Sequence, residues 1–151
     1  MTHPRKFIAG ILALSIIGYS SAQTVKCTTW NLEWSPNGSA KETPAAQQEQ
    51  HIKEAADVLR RIDPDIILLQ EVRDYDVCAR LGEAIAPGVY HVAICSAFKG
   101  PFQRGLGKQQ VAILSKYQPQ AAWAEPWKSM NGVDPPRGFA FAWFKRFRTV
   151  L

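Results

Sequence analysis

The sequence predicts an α/β layered domain, and three observations carry the prediction. Short apolar runs rich in β-branched and aromatic residues alternate with a stretch whose apolar residues recur at helical spacing. The segments between them are dense in Gly, Pro and polar residues, and the chain shows neither an internal repeat nor a low-complexity tract. Its 151 residues are the length of one ordinary domain. With 46% hydrophobic, 21% charged and 11% aromatic residues, the composition excludes a disordered tail, a collagen-like repeat and a disulfide-dense miniprotein.

Taken in order, residues 1–22 read as a signal peptide. Arg5 and Lys6 form a positive start, residues 7–18 are almost wholly apolar, and Ser20, Ser21 and Ala22 supply small residues before Gln23. The run is shorter than the roughly 20 apolar residues that span a bilayer, so removal of a leader is expected rather than an anchor. No later stretch is apolar for long enough to span. The expected location is therefore secreted or periplasmic, with the domain over residues 23–151. The formal net charge of +5 falls by two to +3 without Arg5 and Lys6, a mildly basic balance compatible with a phosphate-bearing partner but not diagnostic of one.

Residues 25–32 predict a first strand, closed by the turn-forming Ser35-Pro36-Asn37-Gly38. Thr43 then predicts a helix cap with Pro44 in the first helical position. In that helix Ile52, Ala55, Ala56, Leu59 and Ile62 make one apolar face, and Asp63-Pro64-Asp65 ends it. Residues 66–69 predict a strand buried on both faces. A second helix is expected over residues 77–85, followed by strands over 90–95, 111–114 and 139–144, with residues 99–110 and 124–137 as loops. Three cysteines leave one thiol unpaired, and their spacing matches no zinc pattern. Cys78 and Cys95 fall in one strand–helix–strand segment and are the expected bridge, while Cys27 is expected as a small hydrophobe in a buried strand.

The chemistry concentrates where Glu71 follows the apolar run 66–69. Ligands of α/β sheets bind at the carboxyl ends of strands, so an acidic residue there is placed to hold a cation. Oxygen donors suit Mg²⁺, which takes one or two carboxylates and completes its shell with water and phosphate oxygens. Arg73, at strand spacing from Glu71, would point the same way and offer a positive fork to a phosphate. Alone, Glu71 and Arg73 read more readily as a solvated charge pair than as a site. Asn31 ends the other clear strand and adds a carboxamide able to orient a phosphate or a metal-bound water without adding charge.

Thr29-Trp30-Asn31-Leu32, followed some forty residues later by Asp65-Ile66-Ile67-Leu68-Leu69-Gln70-Glu71-Val72-Arg73-Asp74, resembles the endonuclease/exonuclease/phosphatase superfamily, in its deoxyribonuclease I-like branch. Lys108-Gln109-Gln110-Val111-Ala112-Ile113-Leu114-Ser115 and Pro136-Arg137-Gly138-Phe139-Ala140-Phe141 extend the likeness. The resemblance implies a four-layer α/β sandwich of two mixed sheets flanked by helices. It implies hydrolysis of a phosphoester, usually in nucleic acid, with Mg²⁺ as the cofactor and Mn²⁺ or Ca²⁺ as substitutes. Sphingomyelin and inositol phosphates are the substrates of related members. Position by position, Glu71 and Asn31 match the family's metal site, and Arg73 and Arg137 match arginines that contact the substrate's phosphates. Gln110 stands where the branch has a tyrosine, and Trp30 and Trp34 are candidates for stacking or for the core. The family's later motifs, a histidine, an Asp-x-Asn and an Asp-His pair, have no counterpart after Arg137, so a partial sandwich lacking its C-terminal half is expected. The alternative to an enzyme is a remnant that binds metal or phosphate without turnover. His51 and His91 match no family motif and are expected as surface or core histidines. Lys99, Arg104 and Lys108, interleaved with Phe98 and Phe102, suit a polyanionic strand or, equally, a solvated loop.

Overall fold

The computed structural model describes residues 24–100, 105–127 and 137–145. The expected leader, and Phe102 and Arg104 of the basic loop, lie outside the described residues. Along the chain run β1 (Cys27–Ser35), α1 (Ala45–Ile62), β2 (Ile66–Val72), α2 (Tyr75–Ile85), β3 (His91–Cys95), β4 (Gln110–Ser115), β5 (Ala121–Pro126) and β6 (Gly138–Trp143). Four strands form a mixed sheet in the order β1-β2-β4-β3, and β5 and β6 form an antiparallel ribbon that packs on β3 and β4. β1 runs parallel to β2, while β4 runs antiparallel to both β2 and β3. No helix among the described residues is long and apolar enough to cross a membrane.

The core follows from two periodicities meeting. On α1 the helical repeat buries Ile52, Ala56 and Leu59, and on α2 it buries Val77, Cys78, Leu81 and Ile85. Strand alternation presents Ile67 and Leu69 of β2 and Ala112 and Leu114 of β4 to the same cluster, with Trp30 and Leu32 of β1 packed against it. Both helices therefore cover one face of the sheet. β2 is not buried on both faces as expected, because its other face, with Ile66 and Leu68, is only half-covered by the described residues. Cys27 corrects a second expectation: it is exposed, on the face of β1 turned away from the helices. Ile62 ends α1 at 39% exposure, outside the apolar face assigned to it.

Helix ends also differ from the sequence reading. Pro44 is the cap of α1 and contributes no side-chain bond, while the Thr43 hydroxyl donates to Asn37 Oδ1 at 3.3 Å instead. Asp63 closes α1 in the left-handed region (φ 49°), its N–H donating to the Leu59 carbonyl at 2.8 Å. α2 starts two residues earlier than expected because Asp74 caps it, its Oδ1 accepting from Val77 N–H at 2.9 Å. Arg60 of α1 donates to the carbonyls of Ala84 and Ile85, satisfying acceptors that the end of α2 leaves open.

β5 was expected as loop from residue 124 onward. Its alanines carry little strand signal, and pairing with β6 makes it a strand, with Trp123 stacked on Phe141 at 5.0 Å and Trp127 against Phe139 at 4.2 Å. Gly138 is required by that pairing: a Cβ there would lie 1.9 Å from the Glu125 carbonyl oxygen. Helices over one face of a mixed sheet, with a second sheet beside it, give the α/β class expected from the alternation and from the resemblance.

Candidate functional site

At the carboxyl ends of β1 and β2 both strands lose their regular register, between Asn31 and Ser35 in β1 and between Gln70 and Val72 in β2. Leu69 and Val72 both face the core although two residues separate them, so one residue between them is extra to the pleat. Glu71 is the residue that absorbs the irregularity, with φ at 60°, and Glu33 and Trp34 do the same opposite it with φ at 47° and 59°. For a residue with a Cβ the left-handed region costs about 1–2 kcal/mol, a strain that persists where the surroundings enforce it and that concentrates at functional sites.

The bulge decides where the expected site residues go. Glu71 sits at the rim with its side chain 17% exposed, facing Arg137 across an Nη1–Oε1 distance of 3.8 Å. Arg137 immediately precedes β6, where its carbonyl accepts from Trp127 N–H at 2.8 Å, and its guanidinium also donates to Gln109 Oε1. A carboxylate from one sheet and a cation from the other are thus brought together. Arg73 is not. The extra residue breaks the two-residue spacing that would have aligned it with Glu71, and its Nε donates to Asp74 Oδ2 at 2.8 Å and its Nη1 to Gln48 Oε1 at 3.3 Å. Its own N–H donates to the Ser35 carbonyl at 2.8 Å, tying the two bulged strands together.

Asn31 lies in register with Gln70, the residue before Glu71, and its Oδ1 accepts from Glu33 N–H at 2.9 Å. It lines a groove of about 360 Å³ between β1 and α1, together with Trp30, Glu33, His51 and Glu54. His51 is half-buried there, with Nδ1 2.9 Å from the Pro36 carbonyl oxygen. Donation from Nδ1 makes Nε2 the acceptor of the neutral ring. Sequence reasoning set this histidine aside. The signal available was its place beside Ile52, at the margin of the apolar face of α1.

Two basic-loop residues have structural partners. Gln110 is buried in full satisfaction: Oε1 accepts from the Ser96 hydroxyl at 2.6 Å and Phe98 N–H at 2.8 Å, while Nε2 donates to the carbonyls of Phe98 and Gly107. It anchors the start and end of the loop where a ring was the family's pattern. Lys108 pairs with Glu42, and that hydrogen bond holds the Glu42 carboxyl below its usual range.

Glu71 and Asn31 offer hard oxygen donors, and among the described residues no three His, Cys, Asp or Glu side chains gather as a metal cage. Such a donor set fits Mg²⁺, which needs few protein ligands and keeps room for water and phosphate oxygens.

Residues 28–151 match the model of a family described as the Endonuclease/Exonuclease/phosphatase family. No curated protein and no solved structure matches the chain.

Proposed function

The chain belongs to the Endonuclease/Exonuclease/phosphatase family, and from that premise we propose that it acts as an exported, Mg²⁺-dependent phosphodiesterase on a nucleic-acid backbone. Members of this family are generally dependent on divalent metals and take phosphoester substrates. The observation that carries the reading is the opposition of Glu71 and Arg137 at 3.8 Å across two sheets, at the carboxyl end of a strand. Glu71, with the Asn31 carboxamide near its strand, would hold the cation. Arg137, oriented by Gln109, would hold a phosphate in its planar fork. A bound Mg²⁺ supplies Lewis-acid polarisation of the phosphoryl group. Arg73, with its donors on Asp74 and Gln48, supports the rim that carries Glu71. Export is supported by the composition of residues 1–22, and amino-terminal sequencing of exported protein is expected to begin at Gln23.

The test is hydrolysis of DNA, RNA, sphingomyelin and an inositol phosphate, with Mg²⁺ and with EDTA, by the wild type and by Glu71→Gln. Expected is Mg²⁺-dependent cleavage of nucleic acid, lost in EDTA and reduced about a hundred- to a thousandfold in Glu71→Gln, as for loss of one strong electrostatic group. Cleavage indifferent to EDTA, or equal in Glu71→Gln, overturns the metal assignment. Cleavage of only the lipid or the inositol phosphate overturns the substrate assignment. Mn²⁺ and Ca²⁺ are compared in the same assay. Cation and DNA binding with no turnover of any substrate would make the chain a metal- and phosphate-binding module instead.

A further inference from the structure

Two of the three cysteines meet in the core. Cys78 lies in the first turn of α2 and is fully buried; Cys95 ends β3, half-buried, and packs against the same cluster. α2 packs on β3, and Cys78 and Cys95 lie in one cluster at that contact, as two free thiols rather than the bridge expected from the sequence. Neither sulfur takes part in the rim around Glu71. We infer that Cys78 and Cys95 are a thiol–disulfide site, at which a low-molecular-mass disulfide oxidises the pair and joins α2 covalently to β3. This goes beyond the proposed hydrolysis and does not depend on it.

The two sulfurs are unequal in the way that an ordered exchange needs. The neighbouring Cys78 thiol holds Cys95 below its ordinary range, while Cys95 and burial push Cys78 up. Cys95 is the attacking sulfur because its partial exposure gives an incoming disulfide access, whereas Cys78 is fully buried. Attack by Cys95 Sγ on RSSR forms a Cys95–SR bond and releases RS⁻, which takes up the proton that Cys95 lost. Cys78 Sγ then gives up its proton, attacks Cys95 Sγ and expels the second RS⁻, which leaves as RSH with that proton. Two protein thiols are oxidised to one disulfide, and RSSR is reduced to two RSH. Cys27, exposed on β1, lies outside this pair and serves as an internal reference.

The full, folded chain is incubated with glutathione disulfide, quenched with acid, alkylated in denaturant and digested without reduction. The expected product is a Cys78–Cys95 linked peptide lighter by two hydrogens, which dithiothreitol returns to two thiols, with Cys27 outside the link. Alkylation of both Cys78 and Cys95, or a link from either to Cys27, overturns the inference. Cys78→Ser removes the second attack, so a glutathione adduct is expected to persist on Cys95. An unmodified Cys95 in that variant overturns the assigned order of attack. Cys78→Ala, which adds no polar atom to the buried position, gives the same readout should the serine disturb folding.

Discussion

Glu71 has a backbone suited to glycine and a side chain that only an acid can supply. Its φ of 60° strains any residue with a Cβ, yet its carboxylate is what faces Arg137. Replacing it by glycine relieves about 1–2 kcal/mol of strain and adds about 0.4–1 kcal/mol of unfolded-state entropy. Glu71→Gly is therefore expected to stay within about 1 kcal/mol of the parent in denaturant unfolding. Calorimetric titration should show its Mg²⁺ binding lost; retained binding would remove Glu71 from the cation site. The polar cluster after residues 66–69 was enough to place Glu71 at a strand end from sequence. The bulge was not legible, because it is defined by cross-strand register and no glycine marks it, and Arg73 was misdirected with it. A second residue, Asp65, lies at the opposite end of the strand and is expected to contribute to acid stability. Its Oδ2 accepts from Lys26 N–H at 2.8 Å and its Oδ1 from Lys116 Nζ at 3.3 Å, and these bonds hold it below the ordinary 3.8. A depressed carboxyl contributes stability that is present above its unfolded value and is lost as pH falls through the folded one. Asp65→Asn is expected to flatten the fall of melting temperature below about pH 4; an unchanged acid limb would assign that limb to other groups.

Among the elements, α2 shows how a cap serves both a helix and a site. The Asp74 carboxylate accepts Val77 N–H with one oxygen and pairs with Arg73 through the other. Asp74→Ala is expected to cost about 1 kcal/mol in urea unfolding, and it releases Arg73 from its partner on α2. A cost near zero would mean that the helix start is held by packing alone. The sequence did contain this cap, but it offered two capping residues before the apolar face of α2, Asp74 and Asp76, and the helix was expected only from Val77. α1 was legible along its length because a 3.6-residue repeat needs no partner to be seen. β5 was not, because its alanines become a strand only once β6 is alongside. In general, elements defined by their own period were readable, and those defined by a neighbour were not.

At the scale of the whole molecule, the alternation of strands and helices gave the α/β class, and four ordered motifs gave the family. Neither could foresee which surfaces would carry rings. Trp123, Phe141 and Trp143 of the ribbon are 45%, 39% and 62% exposed, a contiguous aromatic surface larger than isolated apolar residues make. The folded chain is therefore expected to bind anilinonaphthalene sulfonate at neutral pH, and Trp123→Lys to lower that fluorescence severalfold; equal signal from the variant would locate the dye elsewhere. The order of the sheet has a kinetic meaning as well. Asp65 accepts from Lys26 across 39 residues, β1 joins β2 beside that bond, and β2 reaches β4 only after a similar length of chain. During synthesis the first strand waits without a partner until β2 has emerged, and β2 waits in turn for β4. Closures of that length make refolding slow, on the order of milliseconds to seconds in a stopped-flow experiment, and leave β1 as the segment that a chaperone or a neighbouring nascent chain meets first.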